Sequence, residues 1–396
     1  MPSFVIITES GMPYGYASSN YVKLIAKGLL HAGAQVKIFI PWHTERQDNP
    51  LNLNTVGYTD GFFFEYTTRK TTPPHSPIHR FAEVLKAHLL TCSKLYDLRK
   101  NGELDAVLYY GNHTENLSLY NASCRCMKIP FITFLVEWLP AIPKQNLIRR
   151  LYDQMFTILT MKTPDGVVAI SRFLEQKVVD SSSPPACIRM PILVDDEAWH
   201  SINHNPATRP CILFCANLNG YLPDIFFIID AISRLNRGDL ELVLIGDATK
   251  ETRSRIEVYA HASGLQAKLI INSGYLSDDE LRTLYSEAQL LLAPLHNNIR
   301  SIARFPSKIG DYLMSGRPVI SNTVGEVAYY LRDKETAYLC EPDNTAAFTE
   351  VLRYALDDPN RNTIGENGRK FAVDSFHYGQ QGRRLLEFIQ SLVEMA

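Results

Sequence analysis

The sequence predicts an α/β protein with two doubly wound parallel sheets in series, and three observations support this fold class. Short apolar segments of strand length alternate with amphipathic helical segments along nearly the whole chain, as in parallel sheets wrapped by helices. The alternation pauses at the polar segment 201–210, which contains two prolines, and restarts at an apolar strand after it. A length of 396 residues is sufficient for two domains.

In the first half, apolar periodicity predicts a strand before almost every helix. The predicted strands are Phe4–Thr8, Val36–Ile40, Phe62–Tyr66, Ala106–Tyr110, Phe131–Glu137 and Val167–Ile170. The predicted helices are Asn20–His31, Pro77–Lys100, Glu115–Met127, Asn146–Met161 and Arg172–Asp180.

In the second half the same alternation continues. The predicted strands are Cys211–Ala216, Leu240–Ile245, Lys268–Asn272, Leu290–Ala293 and Val319–Ser321, and the predicted helices are Asp224–Leu235, Glu251–His261, Asp278–Ala288 and Lys308–Met314, with further helices to the end.

Composition excludes several classes of protein. Hydrophobic residues make up 45% of the chain, and the formal net charge of −2 provides no basic field for nucleic acid. The first apolar segment has no charged region before it and predicts a buried strand, and the longest apolar runs are far shorter than the ~20 residues of a membrane span. The seven cysteines are odd in number and scattered, without the spacing of a metal site. We therefore expect free thiols, no bound metal and a cytoplasmic location.

The segment 293–321 carries the strongest chemical signal. A strand ends near Pro294, a polar loop follows, and a helix begins at Ser307, a candidate N-cap, or at Lys308. A helix N-terminus binds anions, and Arg300, Arg304 and Lys308 add positive charge, so the pattern predicts a diphosphate site. The alternative is a solvated, positively charged helix start.

The run from Arg304 to Ile320, Arg-Phe-Pro-Ser-Lys-Ile-Gly-Asp-Tyr-Leu-Met-Ser-Gly-Arg-Pro-Val-Ile, resembles the donor-binding signature of family four GT-B glycosyltransferases. Segments 167–174, 325–326, 341–343 and 364–370 are similar to the same family, and 17–33 resembles members that build bacterial surface polysaccharides. The resemblance implies two facing Rossmann-like domains with a ligand cleft between them. It places an acceptor-side domain at 1–203, a nucleotide-sugar domain at 204–377, and a final helix, 378–396, packed back on the first domain.

The resemblance also implies the site residues. Those expected to bind the donor are Gly15, Asn217, Asn219, Gly246, Tyr275, Arg300, Ser307 and Asp311, with Tyr275 at the nucleobase and Asp311 at the ribose. Glu137, Arg304 and Lys308 are expected to be catalytic, and His113 and Trp138 to face the acceptor.

The sequence departs from the family pattern at three places. The first carboxylate of the family pair falls on Ala303, a pair of glycines after the first strand is reduced to Gly15-Tyr16, and the loop 217–223 lacks the expected basic residue. We expect Arg300 and Arg304 to supply that charge.

Two residues are also candidates from their position alone. Glu137 and His113 each follow a predicted strand, and parallel sheets bind ligands at the carboxyl ends of their strands. Simpler roles remain open, because Glu137 can cap the next turn, His113 can be an ordinary loop histidine, and Tyr275 can be a packing residue.

These features predict a retaining, metal-independent glycosyltransferase without a cofactor. It would move sugar from a nucleoside-diphosphate sugar to a lipid-linked or soluble glycan in surface-polysaccharide synthesis. A nucleotide-sugar epimerase or hydrolase, and a non-catalytic GT-B binding subunit, are the alternatives. The segment 146–162 combines apolar residues with Arg149, Arg150 and Lys162, so peripheral contact with the inner face of a membrane is a further expectation, against a core-facing helix.

Overall fold

The computed structural model describes residues 1–142, 146–202 and 210–395, and the chain divides into two compact units. Unit 1 comprises Met1–Leu193 with Tyr378–Ala396, and unit 2 comprises Val194–His377. Each unit contains one largely parallel sheet with helices, so the predicted α/β class is confirmed.

Unit 1 is built on an eight-stranded sheet within the described residues. Its strands are β1 (Ser3–Thr8), β2 (Gln35–Ile40), β3 (Val56–Thr59), β4 (Phe62–Tyr66), β5 (Ala106–Tyr110), β6 (Phe131–Leu135), β7 (Gly166–Ala169) and β8 (Ala186–Arg189). Its helices are α1 (Ala17–His31), α2 (Pro77–Lys100), α3 (Thr114–Met127), α4 (Leu147–Thr160), α5 (Arg172–Val179) and, after unit 2, α14 (Tyr378–Met395). The strand order is β3-β4-β2-β1-β5-β6-β7-β8, and all neighbours are parallel except β3 and β4.

Unit 2 is built on a six-stranded parallel sheet within the described residues. Its strands are β9 (Cys211–Cys215), β10 (Glu241–Ile245), β11 (Lys268–Asn272), β12 (Leu290–Ala293), β13 (Val319–Asn322) and β14 (Tyr338–Cys340). Its helices are α6 (Leu222–Ser233), α7 (Lys250–Ala262), α8 (Asp278–Glu287), α9 (Ile299–Ala303), α10 (Lys308–Met314), α11 (Gly325–Tyr330), α12 (Thr345–Asp357) and α13 (Arg361–Phe376). The strand order β11-β10-β9-β12-β13-β14 brings the carboxyl ends of β9 and β12 side by side.

Several boundaries differ from those predicted. The strand that begins at Phe131 ends at Leu135, so Glu137 lies beyond it, and the predicted loop after β12 contains the short helix α9. The short strands β3, β8 and β14 were not predicted, because segments of three or four residues carry little periodicity. Most of the predicted linker, residues 203–209, lies outside the described residues.

Unit 2 begins at Val194, ahead of the expected boundary at residue 204. The reason is local pairing within that unit, since the Val194 N–H donates to the Phe376 carbonyl at 2.9 Å. The Asp196 carboxylate also lies 3.0 Å from Nε2 of His377. The first and last residues of unit 2 are therefore held together.

Helix α14 packs against α1 in unit 1 through two facing glycines. A Cβ atom on Gly382 would lie 2.3 Å from the Gly28 carbonyl oxygen and 2.5 Å from its Cα. The Lys27 ammonium also lies 4.5 Å from the ring centroid of Tyr378. Backbone contact this close leaves no room for a side chain at position 382.

Gly382→Ala is expected to lower the free energy of unfolding by ~1–3 kcal/mol, because the added methyl group overpacks the α1–α14 contact. The destabilisation caused by overpacking should exceed the ~1 kcal/mol by which alanine stabilises a helix interior relative to glycine. Ser391→Ala, an exposed position of the same helix, is the matched control. Urea unfolding in which Gly382→Ala is as stable as the parent would contradict the packing argument.

No helix in the described residues is long and apolar enough to cross a membrane.

Candidate functional site

Three cations gather around the ring of Tyr221 in unit 2. Nη1 of Arg304 donates to the Tyr221 hydroxyl at 2.5 Å. The guanidinium carbons of Arg300 and Arg304 lie 5.4 and 5.3 Å from the ring centroid, and Nζ of Lys308 lies 5.3 Å from it. The ring face is electron-rich and attracts cations without neutralising them.

The charge of this cluster is available to a ligand. None of its three cations forms an ion pair with a carboxylate of the described residues. Nε of Arg304 is buried and has no hydrogen-bond partner among those residues. A buried donor without a partner is costly, so the arrangement fits an anion that would accept from it.

Lys308 is the most desolvated of the three cations. Its ammonium donates to the Cys215 carbonyl at the end of β9 and lies 4.8 Å from the ring centroid of Phe214. Burial, together with repulsion from the neighbouring Arg304 charge, lowers the pKa of Lys308 to about 8. Asp224 opposes part of this repulsion, and burial raises the pKa of that carboxyl.

The affinity for a nucleoside diphosphate is expected to fall as pH rises through about 8, because free Lys308 then loses its proton. A bound diphosphate would raise the pKa of Lys308, so binding at about pH 8.5 should take up a proton. Lys308→Arg should flatten this pH dependence, since a guanidinium stays charged. Calorimetry in buffers of different ionisation enthalpy measures the uptake, and equal slopes for both proteins would contradict the assignment.

The start of α10 differs from the prediction. Ser307 has helical backbone angles, φ −56° and ψ −32°, and its side chain makes no capping hydrogen bond. The N–H groups of Ile309 and Gly310 already donate to the carbonyls of Pro306 and Ser307. Those two N–H groups are therefore not available to an anion, and the side-chain cations supply positive charge at this end of α10. Asp311 lies in the first turn of α10 and is exposed.

The loops after β9 and β10 are tied together by the predicted asparagines. Asn217 Oδ1 accepts from the Asn219 N–H at 3.2 Å. Asn219 in turn donates to the Asp247 carbonyl at 3.2 Å and accepts from the Thr249 N–H at 2.9 Å. Gly246 has a φ of 135°, and a Cβ atom there would lie 1.7 Å from the Ala216 carbonyl oxygen. Any larger residue would break this contact.

Two other predicted donor residues follow the carboxyl ends of strands. Tyr275 follows β11 in unit 2 and is half-buried. Gly15 follows β1 in unit 1, where a Cβ atom would lie 2.0 Å from the Ser19 hydroxyl oxygen. Their roles in donor binding remain predictions.

His113 belongs to a hydrogen-bonded cluster at the carboxyl ends of β1 and β5 in unit 1. Its Nδ1 lies 2.6 Å from Glu9 Oε2, and Trp42 stacks on its ring at 5.3 Å. Glu9 Oε1 also accepts from the Tyr109 hydroxyl at 2.9 Å and from Asn116 at 2.8 Å. The hydrogen bond with Glu9 raises the pKa of His113. Burial raises the pKa of Glu9, but the bonds from His113, Asn116 and Tyr109 outweigh it and lower that pKa.

Glu137 and Trp138 follow β6, the strand next to β5. Glu137 is exposed, and its carboxylate adds to the burial that raises the pKa of Tyr110. Trp138 packs edge-on against Phe173, with ring centroids 5.9 Å apart. The short 3-10 helix Leu139–Ala141 has no side-chain cap, so Glu137 does not serve as one.

The predicted site residues form two groups, one at the carboxyl edge of the sheet in each unit. Sequence reasoning missed Tyr221 and Glu9, although both follow first strands, the rule already applied to Glu137. In the part of the chain that the structure describes, no group of three or more His, Cys, Asp or Glu side chains is arranged to hold a metal ion.

Residues 209–358, most of unit 2, match the family model described as Glycosyl transferases group 1. This segment contains the cation cluster, Asn217, Asn219 and Gly246. No curated protein matches the chain significantly. The match supports the predicted resemblance to glycosyltransferases for this segment of the chain.

Solved structures share the whole fold at low sequence identity. Sucrose-phosphate synthase from Thermosynechococcus elongatus has a TM-score of 0.77 and 15% identity over 100% of both chains. A glycosyltransferase from Rickettsia africae ESF-5 has a TM-score of 0.67 and 16% identity over 100% of both chains. HepE from Anabaena, solved with UDP and glucose, has a TM-score of 0.69 and 12% identity over 98% of this chain and 100% of its own. These similarities confirm the predicted GT-B fold.

Proposed function

We propose that the protein transfers a sugar from a nucleoside-diphosphate sugar to a hydroxyl acceptor, with retention at the anomeric carbon. The observation that carries this proposal is the set of cations around Tyr221, none of them paired with a carboxylate of the described residues. Such a set is suited to a diphosphate that becomes more negative as it leaves.

The donor is proposed to bind unit 2. Arg304 and Lys308 would contact the diphosphate, Asp311 the ribose and Tyr275 the nucleobase. A solved structure of HepE contains UDP-glucose, which supports a uridine nucleotide as the first donor to test. No cofactor and no metal take part in this scheme.

The proposed reaction breaks the bond between the anomeric carbon and the diphosphate oxygen and forms a glycosidic bond to the acceptor oxygen. The leaving phosphate takes the acceptor proton, so no separate protein base is required. Stabilisation of the negative charge that develops on the departing diphosphate is usually a large part of such catalysis. Arg304 and Lys308 would supply that stabilisation.

The acceptor is proposed to bind unit 1, near Glu137, Trp138 and His113. Glu9 would hold the His113 ring through Nδ1 and leave Nε2 for the acceptor. We propose a lipid-linked or soluble glycan as acceptor, in cytoplasmic synthesis of a surface polysaccharide.

A panel of sugar nucleotides screened for thermal stabilisation tests the donor, because a ligand at ~100 times its Kd stabilises a protein by about 2.7 kcal/mol. The stabilising donor is then incubated with and without acceptors, in buffer containing EDTA. Product that forms only with an acceptor supports transfer. Epimerised or free sugar without acceptor would support the epimerase or hydrolase alternative instead, and loss of activity restored by metal would contradict metal independence.

A binding subunit without turnover is the second candidate. It is favoured by Ala303, a buried residue where the family pattern has a carboxylate. Donor stabilisation combined with no product from any acceptor would support this candidate. Turnover with one acceptor would exclude it.

A further inference from the structure

Large apolar side chains are exposed along two helices of unit 1. On α4 these are Leu147, Ile148, Leu151, Met155 and Ile158, with exposed fractions from 48% to 81%. Their spacing of one, three or four residues places them on one stripe of the helix. The opposite side of α4 is buried, at Asp153, Phe156, Thr157 and Thr160. The stripe therefore faces solvent rather than the core. The core-facing alternative considered for this helix would have buried it.

Helix α2 carries a second stripe of the same kind, made of Ile78, Phe81, Leu85, Leu89 and Tyr96. Helix α3 packs against both α2 and α4, so the three helices form one layer over the sheet. Exposed apolar groups on this scale mark an interaction surface. We call the exposed sides of α2 and α4 the apolar face.

Charge around the apolar face selects its partner. Helices α2, α3 and α4 carry eight Lys or Arg and four Asp or Glu, on a chain whose formal net charge is −2. One of the acids, Asp153, is buried and pairs with Arg149 at 3.1 Å. Lys86 and Arg150 are exposed beside the stripes and can extend their charge outward. Two copies of so basic a face would repel one another.

We infer that the apolar face docks the protein on an anionic lipid surface. Apolar side chains flanked by cations insert at the boundary between headgroups and acyl chains. There the burial of the apolar groups and the attraction of the cations to anionic lipid are both favourable. The inference deepens the proposed function by favouring a lipid-linked acceptor. The vesicle test contains no sugar donor, so its failure and a failure of sugar transfer are separate results.

The test is co-sedimentation of the full chain with phosphatidylcholine vesicles, with and without about 30 mol% phosphatidylglycerol. We expect at least ~10-fold stronger binding to the anionic vesicles, weakened by salt. The combined change Ile148→Ser, Leu151→Ser and Ile158→Ser should remove most binding to both. Lys86→Gln with Arg150→Gln should remove the preference for anionic lipid.

Val179→Ser with Val258→Ser is the matched control, since both side chains are exposed and apolar but lie on α5 and α7. This variant should bind vesicles like the parent. Unchanged melting temperatures establish that each variant folds. If the combined variant does not fold, the single changes Ile148→Ser and Ile158→Ser are tested instead. Parent protein that stays in solution with anionic vesicles at low salt would overturn the inference. So would light scattering that shows a dimer dissociated by the stripe changes, because a second copy would then cover the face.

Discussion

Glu137→Gln is expected to slow sugar transfer by ~10²–10⁴-fold, the contribution of a positioned acid or base, while nucleoside diphosphate affinity barely changes. The change keeps the shape of the side chain and removes its charge. Glu137 lies in unit 1, outside the segment that matches the group 1 family model and carries the cation cluster, so its contribution should concern the acceptor or the transferred sugar. Its exposure leaves the carboxylate open to such a ligand.

The simpler role for Glu137 predicts a different result. A turn-capping acid would lower the melting temperature and leave turnover near normal, but the turn that follows has no side-chain cap. Glu103→Gln is the control, because Glu103 precedes β5 at the opposite end of the strands and pairs with Lys37 on the surface. Melting temperature, nucleotide affinity and turnover of both variants separate the two roles. Normal turnover in Glu137→Gln would exclude the catalytic one.

Lys308→Ala and Arg304→Ala are each expected to weaken nucleoside diphosphate binding by at least ~2 kcal/mol, the value of a desolvated charge-assisted contact. This corresponds to about 30-fold in Kd. Transfer should slow as well, because the same cations would stabilise the leaving diphosphate. The fold should tolerate both changes, since neither cation is an ion-pair partner of a carboxylate among the described residues.

Two comparisons distinguish charge from packing at Lys308. Lys308→Met keeps the apolar stem against Phe214 and should bind as weakly as Lys308→Ala if the charge matters. Lys268→Ala removes an exposed surface cation paired with Glu241 and should have little effect. Calorimetry that gives the parent affinity for both Lys308→Ala and Arg304→Ala would remove the cluster from the donor site.

The sequence predicted the fold well because buried strands and amphipathic helices leave strong periodic signals. It missed β3, β8 and β14, which are too short for a strong signal, and it placed the end of β6 two residues late, at Glu137. Val136 and Glu137, the residues after the strand, do not break its pattern of residue types, so the pattern extends the strand beyond its end.

The site was predicted less completely, because its contacts join distant segments. Arg300, Arg304 and Lys308 stand out in one run of sequence, but Tyr221 lies more than 70 positions before them and joins them only in the folded unit. Glu9 and His113 are 104 positions apart in the same way. Loop 217–223 lacks the basic residue of the family pattern. Arg304 brings positive charge to this loop instead, because its side chain reaches Tyr221 there.

The pairing of α14 with α1 fixes an order of events during synthesis. Unit 2 is continuous in the chain, whereas unit 1 is interrupted by it and takes its last helix from the residues made after His377. Domains generally fold as units while the ribosome is still adding residues. Unit 2 can thus fold on the ribosome before unit 1 is complete. The face of α1 around Gly28 lacks its packing partner until then.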